Sequence, residues 1–338
     1  MRVGITYDLR DEYIALGYTE EAAAEFDRAD TIESVEAALR AIGCETQRIG
    51  HVRALVGRLA AGDRWDLVFN FAEGVRGYGR ESQVPALLDA YAIPYTFSDP
   101  MVLAISLHKG MAKRVLRDCG VPTAPFAIVE AQDDLDAVNL PYPLFAKPIA
   151  EGTGKGISPR SVLRTPEDLR AVCASLLAEH QQPVLVETFL PGREFTVGVV
   201  GAGNHAEAVP AVLEIILRSE AEANVYSLTN KERCEELVEY RTVSGALADE
   251  CRTLAVRAWR ALGCVDAGRV DLRADDQGRL MVMELNPLAG LHPEHSDLPM
   301  VWAASGRQYV DLIGRIVLEA CKRNGLHPPT GAKVAGAR

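Results

Sequence analysis

The first hundred residues alternate short apolar runs with helix-length amphipathic stretches, an order that points to a parallel sheet covered by helices. Strand-like runs fall at residues 2–6, 45–49 and 67–71, and helical stretches at 31–42 and 52–61. Asp30 followed three residues later by Glu33 predicts a capping box at the first of these helices, with Asp in place of the usual Ser or Thr. Between the first strand and that helix lies an acidic segment, residues 8–28. It reads either as a surface excursion or as a substrate-facing loop, because loops after the first strand of such sheets sit at the ligand-binding edge.

Beyond residue 98 the pattern becomes mixed. Ser98-Asp99-Pro100 opens a helix expected to run to about residue 117, with Pro where its missing N–H costs nothing, and Gly120-Val121-Pro122 ends it. Further strands are expected at 144–147, 184–188, 194–200 and 208–217. Helices follow from Pro166, capped by Thr165, and over 246–262 and 308–323. The stretch 218–240 is polar, and residues from about 328 read as a frayed tail.

With 338 residues and 48% hydrophobic content, the chain can bury a large core. Its net charge of −11 argues against nucleic acid or an anionic membrane as the main partner, so a nucleotide would need a local basic site. Seven scattered cysteines without a CxxC pair indicate neither a zinc site nor a disulfide framework, and they read as reduced core residues of a cytoplasmic protein. Strand-like alternation begins at Arg2, and no apolar run approaches a membrane span, so export is not expected.

Two segments near the C-terminus carry oxygen ligands in alternation: Gly268-Arg269-Val270-Asp271-Leu272 and Met281-Val282-Met283-Glu284-Leu285-Asn286-Pro287. As neighbouring strands they would aim Asp271, Glu284 and Asn286 at one hard cation. Arg269 would face the same side, able to grip a phosphoryl group or carboxylate. Two amphipathic strands with a solvated acidic face are the plain alternative. Upstream, Glu151-Gly152-Thr153-Gly154-Lys155-Gly156 follows a strand bearing Lys147, so its backbone N–H groups could approach phosphate oxygens. It matches neither the P-loop nor the dinucleotide pattern, and a plain hairpin turn is its alternative reading.

The order of several strings makes the whole more specific than its parts. These are Ile93-Pro94-Tyr95-Thr96, Lys109 with Lys113, Phe145-Ala146-Lys147-Pro148, Glu151-Gly152, and Val184-Leu185-Val186-Glu187. They continue with Gly192-Arg193-Glu194-Phe195-Thr196-Val197, Gly263-Cys264, Arg269-Val270-Asp271 and Glu284-Leu285-Asn286. In this arrangement the chain resembles the ATP-grasp superfamily and, within it, the D-alanine:D-alanine ligase family, over nearly its whole length.

The resemblance implies an α/β, ATP-grasp fold with a Rossmann-like parallel-sheet substrate domain (1–98), a central subdomain (99–182), a catalytic domain (183–328) and a tail (329–338). It implies ATP between two sheet-bearing subdomains, with Lys109, Lys147 and the loop residues Glu151, Gly152, Thr153 and Gly154 at its phosphates. Glu187 and Leu190 would flank the adenine, and Glu194 would bind the ribose. Asp271, Glu284 and Asn286 would hold two magnesium ions, with manganese as a substitute. Arg269 and the N–H of Gly290 would face the tetrahedral intermediate, and Lys231 would belong to the loop closing over ATP.

The implied substrate pocket departs from the family pattern. Glu73 stands where the family has a histidine, Thr153 where it has a serine, and Glu232 where it has a tyrosine. Ser296 matches the serine that binds the second substrate's carboxylate. Glu25 and Asp27 are candidates for the acidic residue that binds the first amino group. His292 and His295 carry no family role; each reads as a hydrogen-bonded loop histidine or a substrate contact. The expected activity is an ATP-dependent carboxylate-amine ligase joining two amino acids or related small molecules through an acyl phosphate, in a chain that could form a homodimer. A non-ligating small-molecule kinase or a nucleotide-binding regulatory module is the alternative.

Overall fold

The structure, a computed structural model, describes residues 1–222, 225 and 227–332, with the side chains of Lys231 and Glu232 outside that description. Three sheets organise the chain. The first is parallel, in the order β2-β1-β3, from β1 (Arg2–Thr6), β2 (Glu45–Gly50) and β3 (Leu67–Asn70). Val3, Ile5, Leu67 and Phe69 pack on one side against the helices Ala29–Ala41 and Tyr309–Asn324, while Val68 and Ile49 pack on the other against Val52–Ala60 and Gln83–Ala90. Both faces are therefore covered, as a parallel sheet requires.

The second sheet is antiparallel, in the order β4-β7-β5-β6, from β4 (Phe126–Val129), β5 (Leu144–Pro148), β6 (Val162–Leu163) and β7 (Val184–Thr188). Helix Pro166–His180 covers it, and the Thr165 hydroxyl accepts the Asp168 N–H at 3.1 Å as the expected cap. The third sheet runs β10-β9-β8-β11-β12, from β8 (Glu194–Val200), β9 (Glu207–Leu217), β10 (Val238–Val243), β11 (Ala267–Ala274) and β12 (Leu280–Asn286). Helix Ala246–Leu262 packs on one face, whereas the helix Asp297–Ala304 joins the other to the core of the first sheet. Because β7 pairs in the second sheet and β8 in the third, strand pairing favours a division at 189–193 rather than at 182/183.

Three local expectations are corrected. The helix expected over 98–117 is two helices, Pro100–Leu107 and Lys109–Asp118, broken at His108. His108 has ψ 88°, outside the helical region, and its imidazole accepts the Met111 N–H at 3.2 Å as a cap for the second helix. The capping box at Asp30 does not form: the first turn starts at Ala29, and Asp30 instead accepts from Thr31 N at 3.0 Å and pairs with Arg28 at 2.8 Å. Of the seven cysteines, all free, Cys119 is exposed and six are buried. Among the described residues no helix is long and apolar enough to cross a membrane.

Candidate active site

Antiparallel pairing of β11 with β12 sets Asp271 opposite Glu284 and Arg269 opposite Asn286. Strict alternation alone would not achieve this while keeping the rest of β12 apolar face inward. The register shifts so that Met283 is an extra residue between the pairs Leu272–Val282 and Asp271–Glu284. This bulge leaves Leu280, Val282 and Leu285 in one core and turns Glu284 and Asn286 to the opposite face. There Arg269 Nη1 bonds Asp271 Oδ2, Asn286 Nδ2 donates to the same oxygen at 3.3 Å, and Arg269 Nε lies 3.5 Å from Asp297. Asp271 Oδ1 is buried without a hydrogen-bond partner.

The lysines arrive from two other elements. The break at His108 puts Lys109 on the first turn of its helix, where its N–H bonds the Ile149 carbonyl at 3.0 Å. Its buried Nζ donates to the Glu151 carbonyl at 2.5 Å and lies 3.6 Å from Glu284. Lys147, from β5, pairs with Glu187 Oε1 of neighbouring β7 at 2.8 Å, and Lys113 takes the other oxygen at 2.7 Å. Glu187 therefore anchors two buried lysines. Leu190 lies in the 189–193 linker, and Glu194 faces Arg273 across the β8–β11 pair at 3.2 Å.

The glycine loop is held down by the N-terminal segment. Glu25 accepts the Gly152 N–H at 2.5 Å and pairs with Arg80 at 2.8 Å and Lys155 at 3.3 Å. Lys155 also meets Glu151 at 2.6 Å. Gly152 N–H is thus committed to Glu25 in this conformation, and the turn that follows it has Thr153 at φ 52° and Gly154 at φ 79°. Of residues 8–28, Arg10 and residues 24–28 line the site, and Tyr13, Ala23 and Phe26 form the small core that seats the segment.

Between the first and third sheets lies a cavity of about 460 Å³. Glu25, Asp27, Glu73 and Glu81 line it from the N-terminal side, and Arg269, Glu284, Asn286, Gly290 and Ser296 from the other. Thr153, His292 and His295 also reach it. Ser296 Oγ accepts the His292 N–H at 2.9 Å, and the two histidine rings lie 4.4 Å apart. The loop around Gly290 is tight: a Cβ there would stand 2.8 Å from Ser296 Oγ. Lys231 and Glu232 belong to helix Leu228–Glu232, and the roles expected of their side chains lie outside the described residues.

Charge in the cavity is unevenly compensated. Burial pushes the Glu73 carboxyl well above its usual range, with Glu81, Glu25 and Asp27 adding repulsion. Glu81 is raised to about 8, chiefly by burial. Burial, with Glu284 adding to it, also raises Asp271 despite Arg269. Glu187 is the reverse: burial works against its charge, but Lys113 and Lys147 outweigh it and hold the carboxyl at about 2. Burial lowers Lys109, whereas Glu187 overcomes burial and raises Lys147. The sequence pattern by itself assigns no role to Glu81, Arg80, Lys113 or Lys155. Lys113 stood within the quoted strings, and Glu81 was legible only as one more surface-type carboxylate.

The donor set suits magnesium. Among the described residues no three carboxylate, imidazole or thiol groups form a ready-made metal cage. Asp271, Glu284 and Asn286 supply two carboxylates and an amide, which leaves room for phosphate and water ligands, and the orphaned Asp271 Oδ1 is an oxygen that a cation would satisfy.

Residues 115–318 match the family described as the D-ala D-ala ligase C-terminus. The chain is 36% identical to a D-alanine–D-alanine ligase of Bordetella petrii, covering 82% of this chain and 81% of that protein. It is 33% identical to one from Cupriavidus necator, over 87% and 86%, and 32% identical to an uncharacterized protein of Sinorhizobium fredii, over 76% and 75%. The fold superposes on the crystal structure of D-alanine–D-alanine ligase from Bacillus anthracis complexed with ATP, with a TM-score of 0.73 at 20% identity, covering 96% of this chain and 99% of that one. With matched residues that include the strands bearing Arg269, Asp271, Glu284 and Asn286, the chain belongs to the D-alanine–D-alanine ligase family.

Proposed function

We propose that this chain is an ATP- and magnesium-dependent ligase that joins the carboxylate of one amino acid to the amine of another. The observation that carries the reading is the single cavity shared by Arg269, Glu284 and Asn286 on one wall and by Glu25, Glu73 and the loop before Ser296 on the other. A phosphoryl site thereby opens directly onto a space sized for small molecules. Relatives named D-alanine–D-alanine ligase and a neighbour crystallised with ATP support the same reading.

In this reading the carboxylate of the first substrate attacks the γ-phosphate of ATP, forming an acyl phosphate and releasing ADP. Lys109 and Lys147 steady the phosphate oxygens; Glu187 fixes the second of these lysines in place. Asp271, Glu284 and Asn286 would hold magnesium, which supplies charge neutralisation for the phosphates. The amine of the second substrate then attacks the acyl carbon. Arg269 and the Gly290 N–H face the oxyanion that develops there, and phosphate leaves as the amide forms. Ser296, whose oxygen already accepts one N–H, still has its proton to donate to a substrate carboxylate.

The test is release of ADP and free phosphate with amino acids supplied singly and in pairs. A ligase releases both only when an acyl donor and an amine are present together. ADP with a stable phosphorylated product and no free phosphate would establish the kinase alternative, and ATP binding without turnover would establish a regulatory module.

A further inference from the structure

The N-terminal wall of the cavity carries more carboxyl groups than the protein's own cations pair. Six carboxylates line the space, Glu25, Asp27, Glu73, Glu81, Glu284 and Asp297, against four permanent cations. Each of those cations is already engaged. Arg10 pairs with Glu20 at 2.9 Å and Arg28 with Asp30 at 2.8 Å. Lys109 serves the Glu151 carbonyl and Glu284, and Arg269 serves Asp271 and Asp297. Glu25 is neutralised by Arg80 and Lys155.

That leaves Asp27, Glu73 and Glu81. Among the described residues none of these three side chains has an ion pair or a hydrogen bond. Glu81 is only 9% exposed, yet its carboxylate is partnerless and lines the cavity. The cations that act on it, Arg80 and Lys109, are committed to Glu25 and Glu284. Burying a carboxylate without a partner is costly, so a wall of three such groups is complementary to something the chain does not itself contain.

An amino-acid substrate brings one ammonium in any case, and one ammonium cannot serve Asp27, Glu73 and Glu81 together. We propose that the substrate seated against this wall carries a second ammonium on its side chain, held between Glu73 and Glu81 with Asp27 beside it. The inference rests on the ligase reading above and names the substrate class for that site: a short diamino acid rather than alanine. A methyl side chain would desolvate the same carboxylates and offer them nothing, and a desolvated charge-assisted contact is worth about one to two orders of magnitude in discrimination.

The test uses the full-length protein with ATP and magnesium. Phosphate release is measured for both enantiomers of alanine, 2,3-diaminopropionate, 2,4-diaminobutyrate and ornithine, each alone and paired with alanine. Calorimetry follows the same compounds with a non-hydrolysable ATP analogue present. At least one diamino acid is expected to exceed alanine by about tenfold or more in kcat/KM and in affinity. Glu73→Gln and Glu81→Gln should each lower that ratio by about tenfold, and Glu73→His should do the same by removing the charge with a different shape. Phosphate release with alanine at least as efficient as with every diamino acid would overturn the substrate class and leave the ligase reading standing. Tighter binding of a diamino acid without phosphate release from any pair would support the substrate class and overturn the ligase reading. If a variant does not fold, the wild-type comparison decides alone.

Discussion

The Glu25 carboxylate accepts the backbone N–H of Gly152 at 2.5 Å, across 127 residues of sequence. Through this contact the segment after the first strand pins the glycine loop, so the parts proposed to meet substrate and nucleotide share a joint. Arg80 and Lys155 close the same carboxylate into an ion-pair cluster with side-chain exposures of 7–11%. Glu25→Ala should therefore leave a buried guanidinium without its partner, at a cost of about 3–5 kcal/mol. Chemical denaturation should show a lowered midpoint, and the KM for ATP should rise in the same variant. Unchanged stability and KM would mean that the joint has no consequence.

Glu187 between Lys113 and Lys147 has a pH signature. Its folded carboxyl titrates at about 2 against an ordinary 4.5. Because the folded value lies below the unfolded one, the stabilisation is fully present above about pH 4.5 and is lost as pH falls from there through about 2. Glu187→Gln should lower stability at neutral pH and flatten this part of the acid limb, measured as the denaturation midpoint against pH. A limb as steep as in wild type would assign acid sensitivity to other groups.

Glu284 contributes charge where the phosphates are proposed to sit, opposite Asp271 and 3.6 Å from Lys109. Glu284→Gln keeps the shape and removes the charge. Turnover at saturating magnesium is expected to fall about a hundredfold or more with the melting temperature nearly unchanged. Activity within about twofold of wild type would exclude Glu284 from the metal site.

Gly290 tests the second-substrate pocket. A methyl group there would press on Ser296 Oγ at 2.8 Å, so Gly290→Ala must displace the hydroxyl or the loop. We expect the KM for the amine substrate to rise about tenfold or more while the KM for ATP changes little. Equal increases in both constants would instead point to a general collapse of the loop.

What the sequence determined by itself is what local geometry encodes. Arg269 and Asp271 share a face because they stand two residues apart on a strand, and the same holds for Glu284 and Asn286, so the polar face of each strand could be read without coordinates. Strand–helix alternation in the first hundred residues likewise needs only neighbours along the chain. The Met283 bulge was not legible, because an extra residue is defined only against the partner strand. The break at His108 resembled continuous helix, since the Lys109 N–H that leaves the helix bonds the Ile149 carbonyl, a partner 40 residues away in sequence. Glu25 could be nominated beside Asp27 but not chosen, as its partners Gly152, Arg80 and Lys155 lie far away in sequence. Glu81 is the extreme case: one carboxylate among 47 acidic residues, it differs from the rest only in being buried in a cavity whose cations are already spoken for. Burial and charge pairing are sums over the whole fold, so the tertiary structure alone decides them.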